Sequence, residues 1–351
     1  MGPQPQTAAT VSVIVPARNE EACLGECLRS LVGQAGIRCD IIVVDDHSSD
    51  HTHALAESFA ARTAGGPEVR VITADPLPAG WCGKCNAAWS GAKAAQGNWL
   101  LFTDADTRHS PNSIATGLAE AQQYGADLLS YSPRQEVRGL AERVLMPLIF
   151  AELAVTYRPQ HVSDPQSPDA AANGQYLLIR RAVYDAVGGH AAVAGSLLED
   201  VELARVVKRS GYRLRFRRSE VVSTRMYRSF PRMWEGWTKN LALLFPNARG
   251  LALRRSLEFA LVLAGSIGGL GALAMGNWIG LAWNAALCGS VLFFVYARVA
   301  RAHFDWLSGA LAPLGLPLFA LLLLNSYICH KRGVVKWKGR EYGSGEEVLS
   351  P

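Results

Sequence analysis

The chain has 351 residues, 49% of them hydrophobic, and 35 basic against 30 acidic side chains for a net charge of +5. That length suits one large domain or two smaller ones, and the apolar content is high for a wholly soluble enzyme. The basic excess is regional, in Arg205–Arg255 and Lys331–Arg340 beside apolar stretches, which favours an anionic membrane surface and, with no nucleic-acid motif alongside, argues against nucleic acid as partner.

Residues 1–10 are polar and proline-bearing, read as a flexible N-terminus without the apolar core of a signal peptide, so the first domain is expected to stay in the cytoplasm. Val11–Val15 is a β-branched run, a buried strand that turns at Pro16–Glu20 into an amphipathic helix over Glu21–Gln34. Asp40–Asp45 is a second strand, and Asp50 or Thr52 caps a helix running to about Arg62. Val69–Thr73 is a third strand. Lys84–Gln96 is helical, ended by Gly97 at C′, and Trp99–Thr103 is a fourth strand. Pro111–Tyr124 is a helix, Asp127–Tyr131 a strand, and Arg143–Tyr157 an apolar helix too short to span a bilayer comfortably. A proline-rich loop over Asp164–Asn173 leads to a strand at Tyr176–Ile179, a short helix at Arg181–Val187 closed by Gly188-Gly189, and a helix at Val201–Ser210. Strands alternating with helices imply an α/β fold, a parallel sheet covered on both faces, over residues 11–229. Ligands in such sheets bind at the carboxyl ends of the strands.

Residues 230–250 are rich in Trp, Arg and Lys and read as a helix lying in a membrane interface. A membrane domain follows over 255–329, with apolar segments at Leu257–Met275, Trp278–Ala297 and Leu307–Cys329, then a basic tail over 330–351. The positive-inside rule places Arg254/Arg255, Arg298/Arg301 and Lys331–Arg340 all on the cytoplasmic side. Three full spans cannot do that. Either the third segment, which carries Pro313, Gly315 and Pro317, re-enters, or the rule fails at one loop.

Asp104-Ala-Asp106 follows the strand Trp99–Thr103. Two carboxylates one residue apart at a strand end can hold a hard divalent cation, Mg²⁺ or Mn²⁺, which prefers oxygen ligands. Asp45 and Asp46, at the end of the second strand, can accept from a nucleobase N–H or a ribose hydroxyl, or merely cap a turn. Arg18, Asn19 and Glu20 border the same pocket or start a helix with Asn19 as N-cap. Lys84 opens a helix, where backbone N–H groups and the ammonium favour a phosphate, or it is a solvated surface lysine. Glu199-Asp200 offers a general base, or Asp200 is an N-cap. The seven cysteines are odd in number and irregular in spacing, which suits a reduced compartment. Cys23, Cys27, Cys82 and Cys85 either form a four-thiolate zinc site or are buried apolar positions. His47, His51 and His53 cluster around one turn without a carboxylate cage.

Val13-Ile-Val-Pro-Ala-Arg-Asn-Glu20, Val43-Val-Asp-Asp-His-Ser-Ser-Asp50, Lys84 with Asn86, Phe102-Thr-Asp-Ala-Asp106 and Leu198-Glu-Asp200 resemble, in order, the motifs of family 2 inverting glycosyltransferases. The resemblance covers residues 10–240 and implies the GT-A fold, a Rossmann-like sheet. Pro78-Ala-Gly-Trp-Cys-Gly-Lys84, Ser130-Tyr-Ser-Pro-Arg-Gln135 and Trp337-Lys-Gly-Arg340 are similar to the membrane-associated branch that includes hopanoid-associated and carotenoid glycosyltransferases. By position, the resemblance implies nucleotide-sugar contacts at Pro16, Arg18, Glu20, Asp45, Asp46, Lys84 and Asp104. It implies metal ligation at Asp106 with Asp104, and a base at Asp200 with Glu199 beside it. The donor would be a nucleoside-diphosphate sugar, a UDP-sugar first, and the acceptor a lipid hydroxyl, a polyprenyl phosphate in the alternative. A non-catalytic membrane protein keeping the fold is a third reading. Arg232-Met-Trp-Glu-Gly-Trp237 lacks the Gln-x-x-Arg-Trp pattern of processive members. Arg228, Arg232 and Trp234 are candidates for leaving-group or acceptor contacts.

Overall fold

The computed structural model describes residues 10–61 and 66–342. The expected flexible N-terminus through residue 9, the helix end at Arg62 and the end of the basic tail lie outside these described residues.

Eight strands form one sheet: β1 (Thr10–Ala17), β2 (Arg38–Asp45), β3 (Glu68–Thr73), β4 (Trp99–Phe102), β5 (Thr107–His109), β6 (Leu128–Gln135), β7 (Leu177–Arg180) and β8 (Leu214–Thr224). Their order is β3-β2-β1-β4-β7-β6-β8-β5. The helices are α1 (Leu24–Val32), α2 (Thr52–Ala60), α3 (Gly83–Ala94), α4 (Ser113–Gln123), α5 (Leu140–Thr156), α6 (Pro159–Ser163), α7 (Arg181–Ala186), α8 (Glu199–Arg209), α9 (Phe230–Leu244), α10 (Ala248–Ala274), α11 (Trp278–Val299), α12 (Trp306–Leu311) and α13 (Leu316–Arg332). A hairpin of β9 (Val335–Trp337) and β10 (Arg340–Tyr342) follows.

The chain divides into two compact units. The first runs to Glu136 and resumes over Tyr157–Arg225; the second takes Val137–Thr156 and everything from Met226. In the first, β1 shows why the sheet is covered on both faces. Val11, Val13 and Val15 point to a core shared with α1 and α4, while Ile14 points to one shared with α3, α7 and α8. All four are fully buried, each contributing about 1.5–3 kcal/mol. Side chains alternate along a strand, so an apolar run must feed two cores.

The parallel sheet expected from alternation holds for β3-β2-β1-β4 and for β6 with β8. It fails at β7, antiparallel to both β4 and β6, and at β5, antiparallel to β8. Gly97 is no helix cap. Helix α3 stops at Ala94, and Gly97 instead lets the chain approach β1, where a Cβ would lie 2.6 Å from the Ser12 nitrogen. Asn19 does not cap α1, which starts at Leu24. Asn19 is left-handed (φ 54°), and its Oδ1 accepts from Ser49 N–H (2.8 Å), tying the loops after β1 and β2 together.

In the second unit, α5 packs with the C-terminal helices. Arg255 is 5% exposed and pairs with Glu258 (2.5 Å) and Glu152 (3.4 Å), while Arg298 pairs with the same two acids. These contacts put the start of α10 and the end of α11 side by side, as in a helical hairpin. Among the described residues three helical segments are long and apolar enough to cross a membrane: Ala248–Ala274, Trp278–Ala302 and Trp306–Arg332. The third differs from the others. It is 44% buried against 17% and 6%, and a 3₁₀ turn at Ala312–Gly315 breaks it. Near its start Asp305 and Ser308 accept from Arg143 on α5 (3.1 and 3.2 Å). At its far end Ser326 donates to the Thr238 carbonyl (2.6 Å), and His330 contacts the Lys239 carbonyl (2.7 Å), both on α9.

Candidate active site

The first unit contains a crevice lined by Pro16 from β1, Lys84 from α3, Phe102 and Asp104 at the end of β4, Gly174, His190, and Glu199 and Asp200 from α8. Its centre is one ammonium. Lys84 Nζ lies 2.7 Å from Asp104 Oδ1 and 2.8 Å from Glu199 Oε1. Burial favours the neutral amine. Asp104, then Glu199 and Asp200, outweigh it and hold the Lys84 pKa well above the usual lysine range. A Cβ on Gly174 would lie 2.8 Å from Lys84 Nζ, so glycine keeps this space open.

Helix α8 begins at Glu199, so Asp200 stands inside its first turn and does not cap it. Its Oδ2 accepts from Gly174 N–H (2.7 Å) and its Oδ1 from Val201 N–H (2.8 Å). Burial, reinforced by Glu199, pushes the Asp200 pKa up to about 6, against the pull of Lys84 and the two N–H groups. A carboxylate so raised is ionised at neutral pH and more basic than an exposed one, which suits a general base.

The Asp104–Asp106 turn rests on a buried polar cluster. Thr103 Oγ1 donates to the Gln175 carbonyl (2.8 Å) and Thr107 Oγ1 to the Asp104 carbonyl (2.8 Å). His109 Nε2 lies 3.0 and 3.2 Å from these hydroxyls, and burial pushes its pKa down to about 3. Asp106 shares the turn, its carbonyl accepting from Thr224 Oγ1 (3.3 Å). The donor set suits Mg²⁺ or Mn²⁺, since Asp104 and Asp106 offer only oxygen. Among the described residues no group of three or more His, Cys, Asp or Glu side chains comes together to hold a metal. The same finding separates the four thiols. Cys82 and Cys85 open α3, their sulfurs 2.7 Å apart, while Cys27 packs under Thr107. His51 pairs with Glu21 and His53 with Asp45.

The other nucleotide candidates gather at the ends of β1 and β2, where Ala17 and Asp45 are in register. Asp45 is 6% exposed and accepts from Ser48 N–H (3.3 Å); Asp46 N–H donates to the Ala17 carbonyl (2.8 Å). Arg18 Nη1 donates to the Asp46 carbonyl (2.6 Å), and Glu20 Oε2 accepts from Cys23 Sγ (3.0 Å). Arg18 thus braces the loop behind Asp46. Arg228, Arg232 and Trp234 belong to the second unit, Arg232 and Trp234 on α9. Sequence reasoning missed His190, whose signal was the Gly188-Gly189 pair before it, and the Thr103–Thr107–His109 support.

Residues 12–188 match the profile of Glycosyl transferase family 2. The chain is 29% identical over 350 residues to the 4,4'-diaponeurosporenoate glycosyltransferase of Staphylococcus haemolyticus (strain JCSC1435), covering 96% of this chain and 89% of that protein. It is 27% identical over 355 residues to the protein of the same name from Staphylococcus aureus (strain MRSA252), with the same coverage. In fold it is similar to the mannosyltransferase PcManGT from Pyrobaculum calidifontis in complex with GDP-Man and Mn²⁺, with TM-score 0.51, 18% identity, and 93% of this chain and 88% of that one covered. The curled, mostly parallel sheet is that of the GT-A fold, and the chain is a glycosyltransferase belonging to family 2.

Proposed function

We propose that this enzyme moves a sugar from a nucleoside diphosphate to a lipid hydroxyl at the membrane, with inversion and with Asp200 as base. The observation that carries the reading is the single ammonium of Lys84 bridging Asp104 to Glu199, which brings the diphosphate-binding turn and the base into one crevice. Asp45 and Asp46 hold the nucleoside, and Asp104, Asp106 and Lys84 face the diphosphate. A divalent cation, Mg²⁺ or Mn²⁺, held by Asp106 with Asp104 would offset the charge on the departing diphosphate. Asp200 takes the proton of the acceptor hydroxyl while that oxygen bonds to the anomeric carbon and the opposite carbon–oxygen bond breaks.

A second reading draws on the relatives' name, whose ending denotes a carboxylate. An acid acceptor arrives ionised and needs no base. The test is to incubate enzyme-bearing membranes with a panel of UDP- and GDP-sugars and a lipid extract, then identify the product by mass spectrometry. An alkali-stable glycoside supports the hydroxyl acceptor, an ester cleaved by hydroxylamine the acid. No glycolipid from any donor defeats both. In the same assay Asp106→Ala abolishes metal-dependent turnover while the protein stays membrane-bound; normal turnover removes the metal role.

The second unit supports a two-crossing topology, with α10 and α11 spanning and the segment Trp306–Arg332 held at both ends without crossing. That arrangement satisfies the positive-inside rule at Arg254/Arg255, Arg298/Arg301 and Lys331–Arg340 together, with the catalytic unit cytoplasmic. In intact cells a membrane-impermeant maleimide labels Met275→Cys and spares Lys336→Cys. Labelling of Lys336→Cys from outside would require a third crossing.

A further inference from the structure

His190 is 3% exposed and lines the crevice beside Glu199. Its position depends on the two residues before it. Gly188 and Gly189 are both left-handed (φ 79° and 52°), and a Cβ on Gly189 would come 2.4 Å from the Tyr184 ring, so the chain can fold His190 back onto Tyr184 only with glycine there. The ring packs edge-on against Phe102, the last residue of β4, at 4.6 Å between centroids.

Counting donors fixes the proton on this ring. Tyr184 is 1% exposed. Its hydroxyl oxygen accepts from the His190 backbone N–H (3.1 Å) and lies 2.8 Å from His190 Nδ1. Among the described residues the hydroxyl hydrogen has one acceptor within reach, Nδ1, and a buried hydroxyl does not leave its hydrogen unused. Tyr184 therefore donates to Nδ1, and the imidazole hydrogen sits on Nε2. Burial pushes the His190 pKa down to about 4, so the ring is neutral at pH 7. Among the described residues Nε2 has no hydrogen-bond partner and is not sealed from solvent, and His190 is one of the residues that line the crevice.

We propose that His190 is a sugar-contacting residue, its Nε2–H donating to a hydroxyl oxygen of the sugar being transferred. Place and charge select this ligand. The diphosphate belongs with Asp104, Asp106 and Lys84, and the incoming nucleophile with Asp200. Leaving group and nucleophile take opposite faces of the anomeric carbon, so the sugar ring lies between these groups, where Phe102 and Glu199 flank His190. A neutral donor matches an uncharged hydroxyl, and a site built to bond one hydroxyl discriminates against donors lacking it. The assignment rests on the glycosyltransferase reading of the same crevice.

The test uses His190→Phe, which keeps a ring against Phe102 and removes the N–H, with nucleotide sugars lacking one hydroxyl at a time. His190→Phe lowers kcat/KM for the preferred donor about 10- to 100-fold and leaves the Kd of the free nucleoside diphosphate unchanged. One deoxy-sugar lowers wild-type turnover by a similar factor and shows no further loss with His190→Phe. Tyr184→Phe, which frees the tautomer but keeps His190, gives a smaller loss with the same deoxy-sugar pattern and serves if His190→Phe folds poorly. An equal additional loss with every deoxy-sugar, weaker nucleoside diphosphate binding, or full activity of His190→Phe overturns the contact alone. A wild-type protein that turns over no nucleotide sugar overturns the crevice reading and the contact together.

Discussion

Asp200→Asn lowers kcat with a hydroxyl acceptor by about 10²- to 10⁴-fold, the range expected when a positioned base is removed, and leaves donor binding intact. Asparagine matches the aspartate in volume and keeps one acceptor oxygen. It can serve only one of the two N–H groups, Gly174 and Val201, that Asp200 now satisfies, so retained nucleotide affinity is the control for a correctly folded crevice. The wild-type pH profile reports the same group. Burial and Glu199 raise the Asp200 pKa to about 6, and a base works only when ionised. Accordingly kcat/KM is flat above about pH 7 and falls tenfold per unit below about 6 as the carboxylate takes up a proton. Asp200→Asn removes this acid limb. A carboxylate acceptor, ionised without help, loses little kcat in Asp200→Asn, so the variant separates the two acceptor chemistries. An unchanged kcat with a hydroxyl acceptor would sink the assignment of the base.

Much of the candidate site was legible because acids at strand ends are conspicuous. Asp45 and Asp104 each follow an apolar run, and a parallel sheet brings such ends to one edge whatever the details of packing. The direction of β7 was not legible, since Leu177–Arg180 reads the same in either orientation and only its neighbours decide. Strand β8 was hidden by charge. Arg215 and Arg217 would disqualify it as a buried strand, yet both bind Glu120 on α4 (2.6 and 2.5 Å), and Arg217 also covers the Tyr131 ring. Burial raises the Glu120 pKa, but the two arginines and the Tyr131 hydroxyl hold it down to about 2. An ion pair between distant segments leaves no local period to read. The third apolar segment shows the reverse case. Composition marks it as a span, while its polar residues Asn325, Ser326 and His330 meet α9 only in the folded unit.

Lys84→Met has the second large effect, and its sign follows from what the ammonium holds together. Lys84 is 38% exposed, but Glu199, which it pairs with, is 7% exposed. Removing the cation leaves Asp104, Glu199 and Asp200 facing one another across a partly solvated crevice. Breaking a fully buried pair costs about 3–5 kcal/mol; solvent reaches Lys84 and screens part of that, so about 1–3 kcal/mol is expected. The charge consequence is more specific. Lys84 lowers the Asp200 pKa, so in Lys84→Met that pKa climbs above 6 and the acid limb of kcat/KM moves to higher pH. Donor affinity falls as well, because a diphosphate loses a cation and meets three acids. Unfolding measured by the change in midpoint, donor Kd by calorimetry and the pH–rate profile test the three effects separately. A lysine bound only to water would alter none of them. A profile whose acid limb stays in place while donor affinity falls would mean that Lys84 serves the diphosphate without setting the basicity of Asp200.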